Sequence, residues 1–237
     1  MPKIDVCLSP DLLHLYQVEE RIVVIVDILR ATSCIVTGLA SGVKGITPVA
    51  TLEECRKLQM EGYIGAAERD GKKADGFQIG NSPFSYMQEE VKGRRIALTT
   101  TNGTRAITKS KSARKILIGS FLNLGALANY LSRQGLDLLI VCAGWKGRVN
   151  LEDSLFAGSL AEALKGDFIH EDDSVLACLH LYESGKSDLY QFLEHSSHFN
   201  RLLGLGIKKD IEYCLRFDQF DVVPVLRGAE LVNMDLA

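Results

Sequence analysis

The chain has 237 residues, of which 46% are hydrophobic, and a formal net charge of −3 at pH 7. This composition supports one large domain or two small ones with a sizeable core. The slightly negative charge argues against a nucleic-acid-binding surface and favours small acidic metabolites as ligands.

No stretch of the sequence has the length and hydropathy of a membrane helix, and the N-terminus has no signal-peptide pattern. The six cysteines are scattered without a Cys-x-x-Cys pair, which disfavours both structural zinc and a disulfide framework. We therefore expect a cytoplasmic protein that does not contact membranes, and a homo-oligomer as the commonest default.

Short apolar runs alternate with helical patterns, which predicts an α/β protein. The expected architecture is a layered α/β/α fold with a mostly parallel or mixed sheet, either as one domain over 1–237 or as two subdomains that share a cleft and divide near residue 120. In chain order, we predict a strand at 22–26, a helix at 31–40, a strand at 46–49, a helix at 52–61, strands at 63–67 and 96–98, a helix at 104–110, a strand at 115–118, a helix at 123–134, a strand at 136–141, a helix at 151–164, a mostly helical segment at 170–217 and a strand at 221–225.

Local signals mark several boundaries of these elements. Thr51 and Glu54 have the spacing of a capping box. The polar loop 68–80 is long enough to be a lid or a domain crossover. Ser82 is placed to cap a helix, and Pro224 predicts that the last strand lies at the edge of the sheet.

The most informative segment is residues 99–105, which we call the threonine turn. Asn102-Gly103 predicts a tight turn, because glycine tolerates a positive φ angle. The backbone N–H groups of the following helix and the Arg105 guanidinium would bind an anion such as phosphate. A hydroxyl-rich turn that only caps a helix explains the same pattern equally well.

Four apolar runs end in polar residues at positions where parallel sheets bind ligands. These ends are Asp27 to Ser33, Glu68-Arg69, the threonine turn, and Cys142 to Gly144 with Glu152-Asp153 shortly after. In a parallel sheet all four would meet along one edge, and this repetition is a stronger signal than any single motif.

Asp27 follows five apolar β-branched residues, and a carboxylate there must be paired, hydrogen-bonded or bound to a metal ion. We favour magnesium, which prefers carboxylate and water ligands, over a salt bridge to Arg30. Arg30, Thr32 and Ser33 are placed to bind a phosphate, or they form an N-cap beside a surface arginine. Glu68 and Arg69 are either a metal ligand and a phosphate clamp or a solvated pair.

Glu152 and Asp153 lie in the first turn of a predicted helix, where acids complement the helix dipole without any further role. The preceding loop, 142–147, would bring backbone close to a ligand and supports a functional role for these acids. Trp145 in this loop is a lid or packs locally. Of the five histidines, His198 is the one that we retain as a candidate acid.

Six sequence motifs and a late group of residues form a longer pattern: 26–32, 68–69, 76–83, 99–105, 119–123, 142–144 through 152–153, and then Asp210, Cys214, Asp218 and Pro224. In order and spacing this pattern resembles the 2-phosphosulfolactate phosphatase family over nearly the whole chain. Ser33 and Cys34 depart from it, since threonines are expected there in many relatives.

The resemblance implies a magnesium-dependent acid phosphatase that hydrolyses 2-phospho-3-sulfolactate, or a similar small anionic phosphoester, to 3-sulfolactate and phosphate on the route to coenzyme M. The implied catalytic residues are Asp27, Arg30, Glu68 and Asp153, and the implied ligands of Mg²⁺ are Asp27, Glu68, Glu152 and Asp153. The implied substrate-binding residues are Thr32, Ser33, Arg69, Asn81, Ser82, Thr100, Thr101, Asn102, Gly103, Thr104, Arg105, Ser120, Asn123, Cys142 and Gly144.

Two features of the chemistry stay open at this stage. Position 29 is Leu29, so the Asp-x-Asp motif of aspartyl phosphatases is absent, and both attack by Asp27 and direct attack by water remain compatible with the sequence. A phosphotransferase or lyase, and a non-catalytic sensor of phosphorylated metabolites, are the alternative functions that would use the same anion-binding residues.

Overall fold

A computed structural model describes residues 1–234 of the chain. Within that range it has ten strands: β1 (Ile4–Cys7), β2 (Ile22–Val26), β3 (Gly45–Pro48), β4 (Ile64–Arg69), β5 (Lys72–Lys73), β6 (Arg95–Thr99), β7 (Lys115–Gly119), β8 (Leu138–Cys142), β9 (Pro224–Arg227) and β10 (Glu230–Asn233). The α-helices are α1 (Ala31–Ala40), α2 (Leu52–Met60), α3 (Gly103–Lys109), α4 (Leu124–Leu131), α5 (Leu151–Ala163), α6 (Asp173–Gly185), α7 (Leu189–Leu193), α8 (Ser197–Leu203) and α9 (Lys208–Cys214). Short 3₁₀ turns lie at Leu13–Leu15, Pro83–Met87, Glu89–Val91 and Phe121–Asn123.

The ten strands form one mixed sheet in the order β1-β8-β2-β7-β9-β10-β3-β6-β4-β5. Strands β1, β8, β2 and β7 are parallel to one another, and we call them the first block. Strands β3, β6 and β4 are also parallel to one another and form the second block. The antiparallel hairpin of β9 and β10 joins the two blocks. This mixed sheet, flanked by helices, confirms the predicted α/β class.

The hairpin reverses the direction of the second block relative to the first, because three successive antiparallel pairings separate β7 from β3. In a flat sheet the carboxyl ends of the two blocks would then lie at opposite edges. Gly103, which follows β6, nevertheless packs against Asp27 and Ala31, which follow β2. The sheet therefore curls until the two carboxyl ends meet. The predicted strand ends converge, although not along one edge of a parallel sheet.

The prediction of an edge strand at 221–225 is wrong. Strand β9 lies inside the sheet, between β7 and β10. A proline is tolerated there because Pro224 is the first residue of the strand and the pairing with β7 is limited to Leu117 opposite Val225. The sequence patterns also missed β1 and β10, which have four residues each.

Helices cover both faces of the sheet, and this confirms the layered architecture. Along β2, Ile22, Val24 and Val26 pack into a core that includes α4 and α5. The alternate residues Val23 and Ile25 pack into a second core that includes α1 and α3. None of the helices in the part of the chain that the structure describes is long and apolar enough to cross a membrane.

The segment 170–217, predicted to be mostly helical, forms α6 to α9. Helix α6 packs closely along α5, and a Cβ at Gly158 would lie only 2.0 Å from the Cys178 carbonyl oxygen. Helices α8 and α9 then reach the carboxyl ends of the strands, where His198 contacts Glu152 and Asp210 contacts Arg30. The C-terminal part of the chain therefore completes the region where the two blocks converge.

Candidate active site

A cleft opens at the place where the carboxyl ends of the two blocks meet. Its lining combines two acids from strand ends, the threonine turn, the loop after β8 and one face of α8. The lining residues are Asp27, Leu29, Arg30, Glu68, Asp70, Gly71, Asn81, Thr100, Thr101, Asn102, Trp145, Lys146, His198, Arg201 and Leu202.

Asp27 directly follows strand β2, and only 8% of its surface is exposed. Its backbone N–H donates to Thr32 Oγ1 at 3.0 Å, and the Ala31 N–H donates to Asp27 Oδ1 at 3.3 Å. Burial raises the pKa of Asp27 to about 6, and the charges of Glu68 and Glu152 add to the shift. Within residues 1–234, Asp27 Oδ2 accepts no hydrogen bond, so it is available to a ligand.

Gly103 is required here for a reason other than the one predicted. It is the first residue of α3 and does not have a positive φ angle. A Cβ at this position would lie 2.9 Å from Asp27 Oδ2 and 2.8 Å from Ala31 Cβ. The glycine therefore permits the backbone to approach the carboxylate of Asp27 closely.

The threonine turn serves in part as a helix cap and in part as a wall of the cleft. The Thr104 N–H donates to Thr100 Oγ1 at 3.3 Å, and Thr104 Oγ1 donates to the Thr100 carbonyl at 2.8 Å. Thr100, Thr101 and Asn102 line the cleft. Arg105 does not line it, because its side chain is half exposed and forms an ion pair with Asp11.

Glu68 reaches the cleft from the carboxyl end of β4, in the second block. Its Oε1 accepts a hydrogen bond from the Gly71 N–H, while Oε2 has no hydrogen-bond partner in the described part of the chain. Arg69 lies outside the cleft lining and braces the strand end instead, donating to the Glu68 carbonyl at 2.6 Å and to Thr99 Oγ1 at 3.3 Å.

Arg30 lines the cleft, but its guanidinium is already held by the protein. It forms a buried ion pair with Asp210 of α9 and donates to the Gly71 carbonyl at 3.0 Å. The salt bridge between Arg30 and Asp27, which the sequence left as the alternative to a metal at Asp27, is therefore not observed. Ser82 makes no capping bond and donates to Asp210 Oδ1 at 3.1 Å. Asn81 Oδ1 is buried without a hydrogen-bond partner.

Asp153 supports the backbone around the cleft. Its Oδ1 accepts from the Ile28 N–H at 2.9 Å and its Oδ2 from the Gly144 N–H at 3.0 Å, so both oxygens are occupied. Burial, reinforced by the charges of Asp27 and Glu152, raises the pKa of Asp153 well above its usual range.

Glu152 is fully buried and its Oε1 is paired with His198 Nδ1, while its Oε2 has no partner. The four acids predicted to bind Mg²⁺ therefore do not converge on one point. Within residues 1–234, no three His, Cys, Asp or Glu side chains are grouped as a metal-binding cluster.

Several predicted substrate-binding residues lie behind the cleft and hold the sheet ends together. Ser33 Oγ is bonded to the Ile28 carbonyl and to Ser120 Oγ, at 2.9 Å in both cases. Asn123 accepts from the Ser120 N–H at 3.0 Å and donates to the Val222 carbonyl at 2.9 Å. Cys142 is buried at the end of β8. The side chains of these residues do not line the cleft.

The structure adds a cationic and aromatic wall, in which Trp145 and His198, both singled out from the sequence, are joined by the cations Lys146 and Arg201. The rings of Trp145 and His198 are stacked, with centroids 5.6 Å apart and planes 26° apart. Lys146 Nζ lies 5.0 Å and Arg201 Cζ 5.2 Å from the centroid of the Trp145 ring. Neither cation has a carboxylate partner among residues 1–234, unlike Arg30. The three-residue spacing of His198 and Arg201, which puts both on one face of a helix, was the available sequence signal.

Comparison with known proteins identifies the family of the chain. Residues 7–229 match the family model described as 2-phosphosulpholactate phosphatase. A protein of Thermotoga petrophila is 44% identical over 88% of this chain and 90% of its own length. A protein of Caldanaerobacter subterraneus is 42% identical over 89% of both chains, and one of Clostridium acetobutylicum is 37% identical over 97% of this chain and 100% of its own. All three are named "Probable 2-phosphosulfolactate phosphatase". The chain belongs to the 2-phosphosulfolactate phosphatase family of phosphoric monoester hydrolases.

Proposed function

We propose that the protein is a magnesium-dependent phosphatase that hydrolyses 2-phospho-3-sulfolactate to 3-sulfolactate and phosphate. The observation that carries this proposal is the presence, in one cleft, of two carboxylates with uncommitted oxygens and two cations without carboxylate partners among residues 1–234. A small phosphoester that also carries other acidic groups needs carboxylates to hold the metal ion at its phosphate and cations to bind its other acidic groups. The product would serve the coenzyme M type of route that the family resemblance implies.

The oxygen atoms left unbonded in the cleft fit Mg²⁺. Asp27 and Glu68 line one cleft, each with one carboxylate oxygen that accepts no hydrogen bond within residues 1–234, and Asn81, whose buried Oδ1 also lacks a partner, lines the same cleft. All three are hard oxygen donors of the type that magnesium prefers, and magnesium commonly takes one or two carboxylates and completes its shell with water and substrate phosphate. We therefore assign Mg²⁺ to Asp27 and Glu68, with Asn81 beside them. When bound, the ion supplies positive charge that neutralises phosphate oxygens.

The residues around Asp27 hold the phosphoryl group. Thr101 and Asn102 line the cleft beside Asp27 and offer a hydroxyl and an amide as hydrogen-bond donors. Arg30 is committed to Asp210, so its positive charge acts on the site from a fixed position. Asp27 either orients the attacking water, with Oδ2 on Mg²⁺, or attacks phosphorus itself through Oδ2, in which case Glu68 and Asn81 would hold the ion.

Lys146 and Arg201 are assigned to the other acidic groups of the substrate. A sulfonate and a carboxylate remain on the molecule once the phosphoryl group lies against Asp27, and each needs a positive or amide partner. The indole of Trp145 holds both cations at the same wall of the cleft. This arrangement favours polyanionic phosphoesters over simple alkyl phosphates.

The test is phosphate release from 2-phosphosulfolactate by protein treated with EDTA, before and after Mg²⁺ is restored. We expect release only with Mg²⁺, and we expect Asp27→Asn to abolish it. The control variant is Asp75→Asn, an exposed carboxylate outside the cleft, which should release phosphate at the wild-type rate.

Two results would contradict the proposal. Absence of phosphate release from 2-phosphosulfolactate and from a panel of small phosphoesters, in Mg²⁺, would exclude a phosphatase. Full activity of the EDTA-treated protein would exclude the metal requirement while leaving the hydrolase assignment in place. Transfer of the phosphoryl group to an acceptor other than water would favour the phosphotransferase alternative.

A further inference from the structure

His198 is a buried side chain in the cleft to which the proposed function gives no role. It lies on α8, only 6% of its surface is exposed, and it lines the cleft together with Asp27. Two contacts fix the ring. Its Nδ1 is paired with Glu152 Oε1, and its face is stacked on Trp145.

These contacts leave one ring nitrogen for a ligand. Nδ1 is occupied by Glu152, and Nε2 has no hydrogen-bond partner among residues 1–234. A carboxylate on one nitrogen fixes the tautomer and orientation of an imidazole. His198 lines the cleft that contains Asp27, and its Nε2 has no competing partner in the described part of the chain.

We propose that His198 is a catalytic acid that protonates the leaving oxygen of the phosphoester through Nε2, with Glu152 and Trp145 as its positioning residues. The proposal rests on the phosphatase function proposed above. Charged groups line the cleft around the ring: the carboxylates of Asp27, Glu68 and Asp70 and the cations Arg30, Lys146 and Arg201.

The chemistry of the substrate class calls for such an acid. The oxygen at carbon 2 of a phosphorylated lactate would leave as a secondary alkoxide, which is far more basic than an imidazole. As the bond from this oxygen to phosphorus breaks, the Nε2 proton passes to it and the alcohol forms. The water oxygen becomes the fourth oxygen of phosphate and keeps one of its two protons. The other proton is released to solvent, and solvent returns a proton to Nε2. Proton transfer of this kind contributes about 10²- to 10⁴-fold in rate.

The alternative is a purely structural role, in which the contact between His198 and Glu152 only holds α8 against α5. The two roles differ in their dependence on the leaving group. A structural defect lowers the rate for every phosphoester, whereas loss of an acid lowers the rate only where the leaving oxygen is basic. p-Nitrophenyl phosphate has a leaving oxygen that needs no proton, so it separates the two explanations.

The experiment compares kcat and KM of wild type, His198→Gln and His198→Asn on 2-phosphosulfolactate and on p-nitrophenyl phosphate, with Mg²⁺ present. The asparagine variant retains an amide near Nδ1 and so keeps a partner for Glu152. We expect kcat on 2-phosphosulfolactate to fall by about 100-fold or more, and kcat on p-nitrophenyl phosphate to change by less than about threefold. His195→Gln, an exposed histidine outside the cleft lining, should match wild type.

An equal loss on both substrates, or retention of more than a tenth of wild-type kcat on 2-phosphosulfolactate, would overturn the proposal for His198. If the wild type does not hydrolyse p-nitrophenyl phosphate, the role of His198 is judged on 2-phosphosulfolactate alone. The variants must then have less than one tenth of wild-type kcat, with the KM and melting temperature of wild type. An inactive wild type would overturn the proposed function itself, and an active wild type with fully active variants would overturn only the role of His198.

Discussion

The guanidinium of Arg30 and the carboxylate of Asp210 form a buried ion pair although 180 positions separate them in the chain. Arg30 is the residue that precedes α1, and Asp210 lies in the first turn of α9. This contact ties the C-terminal helices to the strand end that carries Asp27. It makes the helices of the last third of the chain part of the cleft.

Replacement of Asp210 by alanine should therefore destabilise the fold. It leaves a buried guanidinium without its counter-ion, which costs about 3 to 5 kcal/mol. Unfolding in urea measures this as a lower midpoint. Glu212→Ala on the same helix removes only an exposed ion pair with Lys208, and its midpoint should stay near that of wild type. Equal shifts in the two variants would contradict the importance of the buried pair.

The ionised carboxylate of Asp27 should lower the free energy of unfolding, although the proposed function requires it. Burial raises its pKa to about 6 in the folded protein from an ordinary value of 3.8. Above pH 6 the folded protein contains a buried charge that the unfolded chain solvates freely, so the ionised group destabilises the metal-free protein. Its destabilising contribution falls as the pH drops below 6 and vanishes below about 3.8.

Asp27→Asn should accordingly stabilise the metal-free protein at pH 8 by on the order of 3 kcal/mol, although it removes activity. The gain should be absent near pH 4, where the carboxyl of wild type is protonated. Urea unfolding of both proteins in EDTA at the two pH values checks this. A gain that is the same at both pH values would show that the ionisation of Asp27 is not its source.

Gly103→Ala should impair catalysis more than folding. The new Cβ would meet Asp27 Oδ2 at 2.9 Å and Ala31 Cβ at 2.8 Å, so the carboxylate has to move. Displacement of a reacting group by less than 1 Å commonly lowers the rate, and we expect kcat to fall by about 10- to 100-fold. Steady-state kinetics measures this loss. Gly204→Ala, which is exposed and has an ordinary φ of −60°, should keep wild-type kcat.

Lys146→Gln and Arg201→Gln should weaken substrate binding selectively. Each variant removes one charged hydrogen-bond donor for a sulfonate or carboxylate, and such bonds contribute about 1.5 to 3 kcal/mol. We expect KM for 2-phosphosulfolactate to rise by about tenfold or more, with a smaller change in kcat. Arg133→Gln, an exposed arginine beyond α4, is the matched control.

The assignment of the two cations fails if their replacement leaves KM for 2-phosphosulfolactate unchanged. Glycerol 2-phosphate has neither sulfonate nor carboxylate. If the wild type hydrolyses it, the KM values of the two variants for this substrate provide a second test. A rise in KM of equal size for that substrate would show that the cations bind the phosphoryl group instead.

Local patterns in the sequence predicted the strand ends and failed for contacts between distant segments. The apolar run before Asp27 and the capping signals of α2 determine structure over a few residues, and the observed elements agree with them. Asp27, Glu68 and Thr100 to Asn102 were therefore found as candidates, and they do line one cleft. Their individual roles remain predictions.

Arg201 was not found, because its shared helix face with His198 does not show that this face will contact Trp145, 56 positions earlier in the chain. Gly103 was found for the wrong reason, since the atom that excludes a side chain there belongs to Asp27 in another block of the sheet. The role of Arg105 was overestimated, because its partner Asp11 lies 94 positions away. Such pairings are set by the curl of the sheet and not by local pattern.

The hairpin of β9 and β10 has a consequence for how the chain acquires its native state during translation. A ribosome makes this hairpin last, after every other strand of the sheet. Until then β7 and β3 are open edges, and open edges pair readily with other chains. Asp27 and Glu68 are made early, yet the two sheet blocks that carry them are joined only by the final strands. The nascent chain therefore depends on this hairpin to cover both open edges and escape aggregation, and long-range closure of this kind slows folding.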